Sequence, residues 1–206
     1  RDRSVSRGLG DVYKRQDKGP NTGGMGSYSP VKKITSEIID EAMNEIMKPM
    51  ASAMVKEGVP FTGFLYGGLM LTEKGIKTIE FNARFGDPEA EVILPRLESD
   101  FVQAILDLMD NKPVELKWTD KVSHGVVLAS TNYPASSTKG SLITGVDDVD
   151  GLVFHMGTKM TDEGLVTDGG RVLMVVTLED DLQTAFDHTY KAVSYTHLRA
   201  HETLSD

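Results

Sequence analysis

The feature that most narrows the fold of this chain is a pair of strand-like runs, Gly63 to Thr72 and Ile76 to Asn82, separated only by Glu73-Lys74-Gly75. A join that short, with a glycine in it, predicts an antiparallel hairpin. The hairpin in turn fixes which side chains share a face. Residues alternate along a strand, so Glu80 and Asn82 point one way while Ile79 and Phe81 point the other. Two oxygen-bearing side chains on one face make this the first stretch with chemical content.

Other patterns surround the hairpin. Residues Asp17 to Pro30 hold four glycines and two prolines with no apolar period, which predicts a loop. Ser36 is the expected N-cap of a helix. Its apolar residues Ile39, Met43, Ile46, Met50 and Met54 recur at steps of three and four, predicting a buried stripe that ends at Gly58, with a kink at Pro49. After the hairpin, Arg84-Phe85-Gly86-Asp87-Pro88 reads as a loop, a short helix runs through Leu94, and Ser99 or Asp100 caps another through Met109. The polar stretch Asn111 to Thr119 marks a domain boundary. Strands are expected around Gly125 to Ser130, Leu152 to Met160 and Arg171 to Thr177, before a helix capped by Asp180 or Asp181.

Charge and composition remove whole classes of function. With 22 Lys and Arg against 31 Asp and Glu, the formal charge is −9, which argues against binding to nucleic acid or to an anionic membrane. A polyanionic ligand would come with a metal. The absence of cysteine excludes disulfides, thiolate-bound zinc, iron–sulfur clusters and a thiol nucleophile. No apolar run approaches the roughly 20 residues of a membrane helix.

Both ends read as translated sequencing adapter. The codons of a transposon mosaic-end oligonucleotide spell Asp11-Val12-Tyr13-Lys14-Arg15-Gln16, and its reverse complement spells Val193-Ser194-Tyr195-Thr196-His197. Residues 1–16 and 193–206 are therefore expected to form no domain. The zinc-like spacing of His197 and His201 is discounted with them, and the stretch between is expected to be a fragment.

Glu80 and Asn82 are hard-oxygen ligands suited to Mg²⁺, which takes its remaining ligands from water and substrate phosphates. Arg84, expected to point to the same face as Glu80 and Asn82, adds a planar, permanently charged donor for phosphate or carboxylate, and Asp87 follows in the same loop. The loop Asn21-Thr22-Gly23-Gly24 offers backbone N–H groups to an anion, although it is neither a Walker loop nor a dinucleotide fingerprint. His124 and His155 read as structural histidines, and Asp147, Asp148 and Asp150 as a solvated turn without a partner.

Three motifs in order carry a resemblance: Gly19-Pro20-Asn21-Thr22-Gly23-Gly24-Met25-Gly26-Ser27-Tyr28-Ser29-Pro30, Thr62-Gly63-Phe64-Leu65-Tyr66, and Ile79 to Glu89. Together with His155 to Lys159 and Gly169 to Leu173, they resemble the phosphoribosylamine–glycine ligases of the ATP-grasp superfamily. The resemblance implies an α+β fold, with 17–116 as the C-terminal part of an ATP-grasp domain and 117–192 as a small, mostly β C-terminal domain. It implies a cytoplasmic ligase of de novo purine biosynthesis that activates glycine with ATP as an acyl phosphate, which the amine of 5-phosphoribosylamine attacks. On the matching positions, Glu80 and Asn82 hold Mg²⁺ or Mn²⁺, Arg84 is catalytic, and Asp17, Asp87 and Pro88 contact substrate. Where many ATP-grasp enzymes place a further acidic ligand, this sequence has Gly67-Gly68. The isolated chain is expected to be catalytically silent. Two alternatives remain open: another ATP-grasp carboxylate–amine ligase, and, for this chain alone, a non-catalytic metal- or phosphate-binding module.

Overall fold

The computed structural model describes residues 21–194 and 197–198. Asp17 and the expected adapter stretch 1–16 lie outside the described residues. Strand β1 (Gly26–Ser29) precedes helices α1 (Ser36–Ala42) and α2 (Lys48–Lys56), strands β2 (Tyr66–Thr72) and β3 (Gly75–Asn82), and helices α3 (Ala90–Ile93) and α4 (Phe101–Met109). Then come β4 (Val122–Ala129), β5 (Ile143–Thr144), β6 (Leu152–His155), β7 (Thr158–Thr161), β8 (Gly164–Thr167), β9 (Arg171–Glu179), α5 (Leu182–Val193) and β10 (His197–Leu198). Antiparallel strands and helices without a repeating βαβ order make this an α+β chain, as expected.

By packing, the chain divides into two compact units. Among the described residues, the larger holds 21–29, Asp87–Arg96 and those from Thr119 onward; the smaller holds Pro30–Gly86 and Leu97–Trp118. Two early segments therefore pack with the later strands, so a single cut at 116/117 does not describe the packing. Pairing is the reason. Strand β1 lies antiparallel to β4, with Gly26 opposite Val126 and Ser29 opposite Ser123.

The larger unit is built on an antiparallel sheet in the order β1-β4-β9-β6. Its central strands are buried from Val122 to Val127 and from Val172 to Thr177, so both faces need cover. On one face Val127, Met174 and Val176 pack with Val92 of α3. Gly125 belongs to this face, where an added Cβ would stand 2.3 Å from Met174 Cε and 2.9 Å from Val176 Cγ2.

Helix α5 packs on both β4 and β9. Asp181 caps it, its carboxylate accepting from Thr184 N–H at 3.0 Å. Beneath it Thr189 Oγ1 lies 2.8 Å from both His124 Nδ1 and Thr177 Oγ1. His124 is buried beside the rings of Phe186 and Tyr190, at centroid distances of 5.3 and 6.3 Å. Burial pushes its pKa down to about 4, the neutral structural role read from the sequence.

Two expectations need correction here. The run Leu152 to Met160 is two strands, broken at Met156-Gly157 where backbones cross; a Cβ on Gly157 would stand 2.6 Å from Arg171 O and 2.8 Å from Gly169 Cα. Asp150 is not partnerless: its Oδ2 lies 3.2 Å from His188 Nε2, while Glu179 Oε1 lies 2.6 Å from Nδ1 of the same ring. Helix α5 brings His188 back to these carboxylates, a long-range approach that no local pattern announces. The hydrogen bond to Glu179 raises the His188 pKa above its ordinary value.

The smaller unit contains α1, α2, α4 and the β2–β3 hairpin. Thr35, not Ser36, is the N-cap of α1, and its side chain makes no capping bond. Pro49 produces no simple kink. The turn before it, Met43–Met47, widens into a π-helix, which accommodates a residue that lacks the N–H and crowds the preceding turn. Gly58 closes α2 at φ +77°, with Gly58 N–H donating to Val55 O and Val59 N–H to Met54 O.

Contrary to expectation the methionine stripe is not buried: Ile39 and Met43 are 51% and 42% exposed. Among the described residues, every fully buried apolar side chain belongs to the larger unit. The aromatic rings of Phe64, Phe85 and Phe101 do gather in the smaller one, with Phe64 and Phe85 centroids 4.1 Å apart. No described helix is long and apolar enough to cross a membrane.

Two stability measurements follow from the larger unit. Gly125→Ala should cost about 1–3 kcal/mol in urea denaturation through overpacking. His124 has a depressed native pKa, so its neutral burial contributes stability above pH 6.5 that is lost as pH falls toward 4. The thermal midpoint should drop across that window, and His124→Phe should flatten the drop. His188, with its raised pKa, acts in the opposite sense: its contribution is complete below pH 6.5 and disappears as pH rises through its native pKa.

Candidate functional site

Strand β3 delivers Glu80 and Asn82 to one face, as alternation requires. Asn82 Nδ2 donates to Glu80 Oε1 at 3.0 Å, so the two side-chain tips meet. A flip of the amide would put Asn82 Oδ1 where Nδ2 stands. Two oxygens about 3 Å apart are the spacing of neighbouring ligands on an octahedral ion at about 2.1 Å, so the pair fits Mg²⁺. Among the described residues no group of three or more His, Asp or Glu is placed to hold a metal, which leaves waters and substrate oxygens to complete such a shell.

Strand β2 makes room for this pair. Gly68 lies opposite Glu80, and a Cβ there would stand 3.2 Å from Glu80 Cγ; a Cβ on Gly67 would stand 2.7 Å from Met47 Sδ. Glycine at both positions leaves the side chains of Glu80 and Met47 uncrowded. A bulge between Gly68 and Leu69 leaves Ile79 without a direct partner and sets the register of the strand end.

Arg84 does not share the strand face with Glu80 and Asn82. Strand β3 ends at Asn82, and the exposed guanidinium of Arg84 turns back to donate to Phe85 O at 2.7 Å. Asp87, expected beside them in the same loop, belongs to the larger unit.

In that unit Asp87 meets the glycine-rich loop. Arg171 Nη1 lies 2.9 Å from Asp87 Oδ1, Asp87 O and Gly23 O, and 3.4 Å from Gly24 O. The loop is shaped from within by Asn21 Oδ1, which accepts from Gly23 N–H at 2.9 Å, and by positive φ at Gly23 and Gly24. The Tyr133 hydroxyl donates to Thr22 O, and Ser27 Oγ donates to Pro88 O at 2.6 Å. Asn21, Thr22, Gly23, Gly24, Asp87 and Pro88 are therefore brought together.

Three residues at this end were given no role from the sequence. Arg171 opens a strand after Gly169-Gly170, and Tyr133 sits in an Asn-Tyr-Pro turn; neither position has a local pattern that reveals its distant partner. Glu91 is the third. Burial raises its pKa, Asp87 and Glu89 add to the rise while Arg171 opposes it, and its Oε2 is buried with no partner among the described residues. His155, read as structural, is exposed and pairs with Thr158 Oγ1 at 2.9 Å.

Comparison with known proteins gives two consecutive family matches. Residues 11–90 match the phosphoribosylglycinamide synthetase ATP-grasp (A) domain, and residues 123–203 match the phosphoribosylglycinamide synthetase C domain. These spans take in 11–16 and 193–203, which the codons ascribe to adapter, and the backbone of His197–Leu198 pairs with Ile143–Thr144.

A phosphoribosylamine–glycine ligase of Halalkalibacterium halodurans is 50% identical over 180 residues, covering 86% of this chain and 42% of the relative. One of Streptococcus pneumoniae serotype 4 is 46% identical over 178 residues, covering 85% and 42%. The crystal structure of phosphoribosylamine–glycine ligase from Thermotoga maritima superposes with a TM-score of 0.76 at 36% identity, covering 89% of this chain and 46% of that one. A biotin carboxylase from Campylobacter jejuni, at 11% identity and a TM-score of 0.57, shares the fold. The chain thus spans about 42% of the length of the curated relatives it matches. Its motifs, both family matches and relatives at about half identity agree: the chain belongs to the phosphoribosylamine–glycine ligase family of ATP-grasp enzymes.

Proposed function

We propose that this chain forms part of a cytoplasmic ligase of de novo purine biosynthesis that joins glycine to 5-phosphoribosylamine at the expense of ATP. The observation that carries the reading is the convergence of Glu80 and Asn82 at the end of β3, in a chain of this family. In domain terms, 17–116 is read as the C-terminal part of the ATP-grasp domain and 117–192 as the small C-terminal domain.

The two side chains hold Mg²⁺ or Mn²⁺ against the ATP phosphates. When bound, the ion neutralises charge that develops on the transferring phosphoryl group. A glycine carboxylate oxygen attacks the γ-phosphorus and ADP leaves. The amine of phosphoribosylamine then attacks the carbonyl carbon of glycyl phosphate, expelling inorganic phosphate and losing a proton. Arg84, which needs only to exchange the Phe85 carbonyl for a substrate oxygen, stabilises negative charge in both steps. Asp87, with Pro88 beside it and Asp17 beyond the described residues, anchors the glycine ammonium. The loop of Asn21, Thr22, Gly23 and Gly24, with Gly23 N–H taken by Asn21 Oδ1, presents its remaining backbone N–H groups to an anionic substrate group.

The test is glycine- and phosphoribosylamine-dependent ADP release by the full-length ligase containing this sequence. Glu80→Ala and Arg84→Ala should each lower the rate about 10²-fold or more, as loss of one transition-state stabiliser does. Full activity of Arg84→Ala would remove the catalytic role given to that residue, and a wild-type ligase indifferent to glycine would remove the reading altogether.

A further inference from the structure

We infer that Arg171 is a positioning residue that sets the substrate-facing geometry of both the Asn21–Gly24 loop and Asp87. The inference rests on the ligase reading for what those groups bind, and on the coordinates for how they are held. One guanidinium nitrogen faces four oxygens from two segments that are more than 60 residues apart in sequence: Gly23 O, Gly24 O, Asp87 O and Asp87 Oδ1. A nitrogen with two hydrogens serves four acceptors only by sharing, so the contacts act as a hub and not as independent bonds.

The arginine is itself held at both ends. Its backbone pairs with Ala129 across the sheet, and its carbonyl lies where a Cβ on Gly157 would strike it at 2.6 Å. Its side chain is 20% exposed, and the loop lies against its guanidinium, with Cζ 3.5 Å from where a Gly23 Cβ would be. Gly23 has φ +70°, so a side chain there would be strained as well as crowded against the cation.

The direction of the carbonyls gives the hub its consequence. In a trans peptide the C=O and the following N–H point opposite ways. Drawing Gly23 O and Gly24 O toward Arg171 therefore turns the N–H groups of Gly24 and Met25 away from it, to the opposite side of the loop. Thr22 O, drawn to the Tyr133 hydroxyl, turns Gly23 N–H in the same manner to Asn21 Oδ1. A loop that is free to rotate its peptides offers no fixed anion cradle; this one has its carbonyls engaged one after another. The same hub binds Asp87 through both its carbonyl and its carboxylate, which limits the rotamers from which that carboxylate receives an ammonium group. Nε and Nη2 of Arg171 carry no partner among the described residues.

Lysine cannot reproduce this arrangement, because a single ammonium on a flexible stem lacks the planar fork. The experiment compares full-length ligase carrying Arg171→Lys, Arg171→Gln or Arg171→Ala with wild type and with Lys139→Ala, which removes a different cation paired to Asp168 in the same unit. The Arg171 variants should raise the KM for glycine about tenfold or more, leave the KM for ATP within about twofold, and keep the thermal midpoint of Lys139→Ala. Millimolar guanidinium should restore part of the glycine KM in Arg171→Ala. Amide exchange in the Gly23–Gly26 segment should quicken in Arg171→Gln, a readout independent of turnover. Unchanged glycine KM, parallel rises in both KM values, or unchanged exchange would each overturn the inference. A wild-type ligase with no glycine-dependent turnover would instead sink the ligase reading, while the exchange measurement still judges the tether.

Discussion

The ladder between β4 and β9 is the interaction on which the larger unit depends. It runs from Val122 opposite Glu179 to Leu128 opposite Leu173, then slips at a bulge to set Ala129 opposite Arg171. Its two strands are buried on both faces, so neither survives without covers, and the covers arrive from distant parts of the chain. Strand β1 adds to one edge and β6 to the other, α3 fits the face that Gly125 opens, and α5 closes the opposite one. Because β1 starts where β4 ends, the ladder also places the glycine-rich loop at the end of the sheet where Arg171 begins β9. The site geometry in this unit is thus a by-product of strand register. A slip of one residue would turn His124 and Gly125 to each other's faces, with an imidazole forced into space that does not admit a methyl group.

What the sequence made legible was whatever chemistry lies within one element. The alternation of β3 announced the shared face of Glu80 and Asn82, and their side chains meet. Three helix ends were readable for the same reason, though the N-cap of α1 falls on Thr35 and not on Ser36. Asp100 accepts from Gln103 N–H, Asp181 accepts from Thr184 N–H, and Gly58 ends its helix in a left-handed turn. Errors arose where a distant segment decides. Leu152 to Met160 read as one strand because nothing local says that Gly157 must pass Gly169 at van der Waals distance. Asp150 read as lacking a partner because His188 is 38 positions away. Arg84 leaves the face of Glu80 and Asn82 because the strand end is set by pairing with Tyr66, not by the pattern of β3 itself. The role of the Arg171 side chain had no local signal, since its guanidinium partners lie at least 84 positions earlier.

The two units also differ in what holds them together. Continuous apolar strands give the larger one a core with fully buried Val172 to Val176. The smaller one relies on a helix pair, a hairpin and a cluster of three phenylalanines, with large side chains such as Val55, Val102 and Met109 more than 60% exposed. Apolar area removed from water is the main favourable term in folding, at about 25 cal/mol per Å², so the smaller unit draws less on it per residue. The local devices in that unit carry more of the burden. The glycine-closed end of α2, the π-turn that absorbs Pro49 and the glycine contacts of β2 each fix geometry without a deep core. The Glu80–Asn82 pair on β3 accordingly depends on hairpin register and on Gly68 for its shape.

Charge explains why one arginine suffices at the other cluster. Asp87 and Glu91 both lie within the electrostatic reach of Arg171, and two ionised carboxylates there would outnumber the cation. Burial, with Asp87 and Glu89 adding to it, raises the pKa of Glu91, which favours its neutral form. The raised pKa weakens the claim of Glu91 on Arg171, whose Nη1 engages Asp87 and the loop carbonyls. If Glu91 were replaced by a permanently charged or a strongly donating group, the hub would be redistributed without any change in the residues it holds. Glu91 thus bears on the geometry at Gly23, Gly24 and Asp87 through burial and charge together, with no hydrogen bond to any of them among the described residues.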